Sequence, residues 1–316
     1  MRKICLLCGT VFVGKHLTHR LFQMGWKIRV LTRQREKHRD LLVLPTLELI
    51  STNYTQEQLN EQLAGCEVVI NLVGILNETG SKGAGFRKAH VELPQKVIAA
   101  CHKNHIKRLL HISALNADAK QGTSHYLCTK GEAEDLIHAA EGLHVTSFRP
   151  SVIFGEDDSF FNLFATFLRI FPYLFILPSG HTKIAPVWVN DVVDAIVQTI
   201  DNPQHYGQRY NLCGPKVYTL QELVTYTANL MGLKRRIISL GNKSSSVASR
   251  VLERLPGKLY SQDNYNSSKV DSVCTKHHSL PQLGITPHAV ETIMPKYFTT
   301  PSRDELYSMF RCQAGR

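Results

Sequence analysis

Short apolar runs alternate with amphipathic helical stretches from the third residue of this 316-residue chain, and that alternation limits the folds open to it. Residues 3–8 (KICLLC) read as a strand, 9–14 (GTVFVG) as a small-residue turn, and 15–24 (KHLTHRLFQM) as a helix that stops at Gly25. The same succession predicts strands at 27–32, 47–51, 67–73, 108–113 and 145–149, with helices at 56–63, 86–103 and 124–140. Strands separated in this way pair in parallel, because each helix supplies the crossover and covers a face of the sheet. A Rossmann-like, doubly wound α/β fold is predicted.

Beyond Pro150 the rhythm loosens. Helices are predicted at 160–171, 191–200 and 220–231, and strands at 184–189 and 209–213, before a stretch richer in Ser, Asn and Pro. The expected organisation is a nucleotide-binding domain over 1–150 and a smaller substrate- or partner-side lobe over 151–316, interleaved with the last strands of the sheet.

With 37 basic and 26 acidic side chains the net charge is +11, which favours an anionic ligand, an anionic membrane surface or an acidic partner. The bases are scattered, with only short runs at 33–39 and 234–236, so nucleic acid is not expected. Eight cysteines show no framework spacing. Cys5 and Cys8 fall on opposite faces of a strand, which argues against a shared metal; free thiols in a reducing cytoplasm are expected. The chain enters its first strand within three residues, so no signal or transit peptide is expected. No His-Glu-x-x-His set appears, and His277 and His278 read as surface residues.

The most apolar stretch, 160–178 (FFNLFATFLRIFPYLFILP), is interrupted by Arg169 and Pro172, which argues against a membrane span. Core packing is the default expectation and a membrane-facing surface helix the alternative. Asp157–Asp158 and Asp191 are expected to cap the helices that follow them.

Two groups of residues carry chemistry. Free backbone N–H groups where the 9–14 turn enters its helix suit the phosphates of a dinucleotide. Tyr126 and Lys130 form Tyr-x-x-x-Lys, a spacing that puts phenol and ammonium on one helix face, and Ser113 precedes them at a strand end. An ammonium beside a phenol lowers its pKa, which fits Tyr126 for acid/base work between a carbinol and a carbonyl.

The turn 9–14, VINLVG (69–74), HISAL (111–115), YLCTKGE (126–132), FRPSVIFG (148–155), YNLCGPKVYT (210–219), LPGK (255–258) and VDSV (270–273) together carry a resemblance. The chain resembles an extended or atypical short-chain dehydrogenase/reductase of the NAD-dependent epimerase/dehydratase type. Within that superfamily it is similar to the nucleotide-binding accessory subunits of respiratory complex I and their bacterial relatives. The resemblance implies a bound NADP(H) with a mainly structural role, in a respiratory or quinone-biosynthesis assembly and with peripheral contact at the inner face of a membrane.

Residue by residue, it implies that Gly9, Thr10, Phe12, Val13 and Gly14 hold the pyrophosphate. Asn71, Val73 and Gly74 would line the adenine-ribose side, and Pro150, Ser151 and Val152 would meet the nicotinamide. Lys130 would bond the nicotinamide ribose. Arg33 stands where NAD-specific proteins place a carboxylate, which favours NADP(H) over NAD(H). Three positions depart from the pattern. Cys8 and Val11 replace glycines of the turn, with an expected left-handed strain at Val11 of about 1–2 kcal/mol. Leu115 replaces the hydroxyl residue that bonds the substrate oxygen. An active NADP-dependent oxidoreductase or epimerase using Tyr126 and Lys130 is the alternative reading, and a scaffold that has lost nucleotide a third.

Overall fold

A computed structural model describes residues 2–78, 82–171, 173–252, 260–274 and 278–298. The first half runs β1 (Lys3–Leu7), α1 (Phe12–Gln23), β2 (Lys27–Thr32), β3 (Leu47–Ser51), α2 (Gln56–Gln62), β4 (Val68–Asn71), α3 (Ala84–Arg87), α4 (Leu93–Lys103), β5 (Arg108–Ile112), α5 (His125–His138) and β6 (His144–Pro150). The second half adds β7 (Ile153–Phe154), α6 (Ser159–Ile170), β8 (Leu174–Leu177), β9 (Lys183–Ile184), β10 (Val187–Trp188), α7 (Val189–Thr199), β11 (Gln208–Leu212), β12 (Tyr218–Thr219), α8 (Leu220–Leu230), β13 (Arg236–Ser239), α9 (Asn242–Leu252) and α10 (Gln262–Ser267).

Seven strands form one parallel sheet in the order β11-β6-β5-β4-β1-β2-β3. One face buries Leu17 and Leu21 of α1 with Val192 and Ile196 of α7. The other buries Leu59 of α2, Val97 and Cys101 of α4, and Ile137 of α5. Strand order reverses between β1 and β4, and the crevice beyond the strand C-termini at such a switch point is where α/β sheets hold ligands. Both β11 and α7 belong to this core, so the second half is interleaved with the first. A separate cluster of Phe154, Phe161, Leu168, Phe175, Leu223 and Val224 forms the core of the smaller lobe.

Several sequence expectations are corrected. Helix α1 begins at Phe12, because Val11 already serves as its N-cap. The 86–103 helix is interrupted by a π-helical turn over Lys88–Glu92. The 184–189 strand divides into β9 and β10, with Ala185 bonded to Ser272 between them. Asp158 caps α6 by accepting from Phe161 N at 2.6 Å, as expected. Asp191 does not cap α7; its carboxylate accepts from the backbone N and Nδ1 of His288, both at 2.8 Å. The cysteines are not all free, since Cys213 and Cys274 are joined in a disulfide. Sequence spacing hid that pair, which lies 61 residues apart. No described helix is long and apolar enough to cross a membrane. Residues 255–258, His277 and Pro172 lie outside the described residues.

Candidate active site

The phosphate end is built by a close approach of helix to strand. A Cβ on Gly14 would lie 2.5 Å from Gly9 Cα and 2.6 Å from Cys8 O, so only glycine lets α1 start directly over the end of β1. Val11 offers no side-chain cap, and the first turn of α1 carries no acidic residue. The first intrahelical bond runs from Lys15 N to Val11 O at 2.8 Å, which leaves the amides of Phe12, Val13 and Gly14 for an anion. Thr10 is buried with its Oγ1 3.2 Å from Thr32 Oγ1, linking the turn to the end of β2. The Phe12 ring closes the far side, where a Cβ on Gly155 would meet it at 3.3 Å.

The expected strain sits on a different residue. Val11 has φ −88° and ψ 173°, extended backbone open to any residue, and its side chain is 51% exposed. Cys8 is the left-handed residue, at φ 66°. Val11 is thus neither strained nor driven into the turn. The cradle of small residues and free amides fits a dinucleotide diphosphate.

Arg33 follows β2 at the surface, close enough to the turn for its charge to act on the Cys8 thiol and the Tyr54 phenol. Burial raises the Cys8 pKa, and Arg33 opposes that rise. No described carboxylate pairs with Arg33, so its guanidinium is available to a ribose phosphate. Across the switch point, buried Asn71 ends β4 with Oδ1 accepting from Val73 N at 3.1 Å and Nδ2 3.2 Å from His111 Nδ1. This bond shapes the Val73–Gly74 loop.

At the catalytic end, α5 presents Tyr126 and Lys130. Its N-terminus is capped twice. Ser124 Oγ accepts from Leu127 N at 3.1 Å, and Asp263 of α10 accepts from His125 N at 2.7 Å and Tyr126 N at 3.1 Å. The Lys130 ammonium donates to Ile112 O at 2.5 Å and lies 3.7 Å from where a Cβ on Gly74 would be. Burial drops the Lys130 pKa to about 8, although Glu134 opposes the fall. The Tyr126 hydroxyl makes no hydrogen bond among the described residues, and burial pushes the phenol up to about 12. The expected lowering by Lys130 is therefore absent, because desolvation alone governs this phenol.

His90, on the π-helical turn, was not singled out by sequence reasoning. Its Nε2 accepts from Ile75 N at 3.0 Å, which leaves the proton on Nδ1, 3.0 Å from Thr129 Oγ1. Burial, then Lys130, keeps this imidazole neutral, with a pKa near 2. Its ring packs edge-on to Tyr126 at 5.5 Å, with Phe86 6.2 Å from the same phenol. His90 so joins the Gly74 loop to the catalytic helix. A π-turn in an otherwise regular helix is the signal that marks such a site, and it is invisible in hydrophobic periodicity.

The remaining predicted residues lie at and just beyond the C-terminal ends of β5 and β6. The buried Ser113 Oγ faces the Glu134 carboxylate without a hydrogen bond of good geometry. Burial works to raise the Glu134 pKa, but Arg149, Ser113 and Arg209 hold it below the usual carboxylate range. Leu115 packs with Ala185 and Cys213, and with Val273 and Cys274, at the seam between lobes. Pro150 O accepts from Leu115 N at 3.0 Å, and Val152 O from Val187 N at 2.9 Å. Ser151 Oγ donates to Ser272 O at 2.8 Å. No metal-binding group of His, Cys, Asp or Glu occurs among the described residues.

Residues 4–213 match the NAD dependent epimerase/dehydratase family. A complex I alpha subcomplex subunit 9 from Arabidopsis thaliana is 27% identical over 279 residues, covering 84% of this chain and 68% of that protein. The NADH-ubiquinone oxidoreductase 40 kDa subunit of Neurospora crassa is 24% identical over 304 residues, covering 94% and 79%. A ceramide reductase from Caulobacter vibrioides is 28% identical over 242 residues, covering 75% and 73%. Among solved structures, MoeE5 in complex with UDP-glucuronic acid and NAD superposes with a TM-score of 0.71 at 19% identity, covering 94% of this chain and 97% of that one. That likeness shows the fold.

Two outcomes test the site. Cys8→Gly relieves a left-handed side chain and raises stability by about 1 kcal/mol in urea unfolding, whereas Val11→Gly relieves no such strain. Lys130 is protonated more weakly in the folded than in the unfolded chain, so it lowers stability below pH 8 and this loss fades as pH rises toward 10.5. The stability difference between Lys130→Met and the wild type, followed across that window, shifts in favour of the wild type by on the order of 3 kcal/mol. A pH-independent difference would contradict the buried ammonium. The turn at Gly9–Gly14 and the Tyr126–Lys130 helix, at the switch point of a parallel sheet, agree with the family match over two thirds of the sequence: this chain belongs to the NAD dependent epimerase/dehydratase family.

Proposed function

We propose that this protein binds NADP(H) as a mainly structural ligand and serves as a weakly catalytic or non-catalytic accessory factor of a respiratory or quinone-related assembly at a membrane surface. One observation carries the loss of catalysis. Ser113 faces Glu134, and Leu115 fills the seam beside Cys213 and Cys274, so neither offers a hydroxyl to a substrate oxygen beside Tyr126. A bound nicotinamide nucleotide would supply hydride chemistry. The protein's own part is to hold the diphosphate on the α1 amides, the ribose near Lys130 and the 2′-phosphate near Arg33. Similarity to complex I subunits supports the assembly.

A second reading, an NADP-dependent reductase of a lipid carbonyl, draws on the intact Tyr126–Lys130 pair and the likeness to a ceramide reductase. There the Tyr126 hydroxyl would give its proton to the carbonyl oxygen, and the nearby ammonium would stabilise the phenolate left behind.

Fluorescence titration with NADPH and NADH, paired with an assay on long-chain ketones, separates these readings. Arg33→Ala weakens NADPH by on the order of 10-fold or more, the loss of one charge-assisted contact, and leaves NADH unchanged. Wild type and Tyr126→Phe show the same absence of ketone-dependent NADPH oxidation. Turnover that Tyr126→Phe abolishes would establish the reductase, and a protein that binds neither nucleotide would sink both readings.

A further inference from the structure

The smaller lobe ends in an apolar edge that the nucleotide site does not use. β8 and β13 pair in parallel, with Leu174 beside Arg236 and Ile176 beside Ile238. Alternate residues Phe175 and Leu177 enter the lobe core, which turns Leu174 and Ile176 outward. Tyr173 is 84% exposed, Ile170 62% and Ile176 54%, and Phe171, Leu174 and Ile238 are also exposed. Arg235 fastens this edge to α6 by donating from Nε to Leu168 O at 2.9 Å. A contiguous apolar surface of this kind marks an interaction site, because a soluble surface otherwise disperses such residues.

The sequence of this edge is basic. Segments 159–190 and 223–252 contain no Asp or Glu but seven Lys or Arg, among them Lys234, Arg235 and Arg236. Lys234 and Arg236 are exposed beside the apolar strand pair. We infer that this edge lies on an anionic lipid bilayer, with Ile170, Tyr173, Leu174, Ile176 and Ile238 entering the headgroup boundary and the bases meeting lipid phosphates. Aliphatic and tyrosyl side chains suit that boundary, and long basic side chains reach from it to the phosphates. Nucleic acid fits poorly, because the centre of the patch is aliphatic. A second copy would bring Lys234 and Arg236 face to face with their own equivalents. The inference deepens the membrane part of the function proposed above and rests on it, but not on nucleotide binding.

Flotation of the full chain with vesicles tests it. The protein is expected to float with equimolar phosphatidylglycerol–phosphatidylcholine vesicles, to stay behind with pure phosphatidylcholine, and to be released at 1 M salt, where the Debye length falls to ~3 Å. Ile176→Glu, and separately Lys234→Gln with Arg236→Gln, lower partitioning by on the order of 10-fold or more, with NADPH affinity and the thermal unfolding midpoint unchanged. Failure of the wild type to float, or flotation untouched by both variants, would overturn the inference. Light scattering that shows a dimer broken by Ile176→Glu would overturn it in favour of self-association. If the wild type does not float but co-purifies with a respiratory assembly, and Ile176→Glu abolishes that, the edge is a protein interface and the accessory reading stands without the lipid one.

Discussion

The contact on which the rest depends is the seating of α1 on the end of β1. Gly14 touches the backbone of Cys8 and Gly9, and any larger residue would lift the helix off the strand. That seating leaves the amides of Phe12, Val13 and Gly14 outside the helical ladder, at the partly positive end of α1. It also forces the chain through a tight reversal at residue 8. Cys8 adopts the left-handed conformation there, and the strain is tolerated because β1 is held inside the sheet and α1 is packed on one of its faces.

A second constraint fixes the catalytic end. Helix α5 would begin with bare amides had Ser124 and Asp263 not met them, and Asp263 comes from the other lobe. The position of Tyr126 is therefore set jointly by both halves of the chain. His90 adds a third tie, from the Gly74 loop to Thr129 on the same helix. These bonds make a rigid frame around Lys130, whose ammonium is held by Ile112 O in a desolvated place.

The seam between lobes has been given to packing. Leu115, Ala185 and Val273 meet around Cys213 and Cys274, and Ser151 is tied to Ser272 just above. The outward edge of β8 and β13 differs, with apolar residues left in solvent beside Lys234 and Arg236.

By itself the sequence determined the strand–helix alternation, the parallel sheet and the two motifs, because periodicity and small-residue turns are local properties. Every central strand was legible to within two residues at each end, and Gly14, Tyr126 and Lys130 were singled out from the turn pattern and from a four-residue spacing placed after the fifth strand. Tertiary structure decided what depends on distant partners. Cys8 took the left-handed strain expected of Val11, because the helix start at Phe12 made Val11 an extended N-cap. Tyr126 kept a high pKa because the surrounding side chains desolvate its phenol. The Cys213–Cys274 disulfide and the cap from Asp263 each join residues that only the fold brings together, and no local pattern encodes such a meeting.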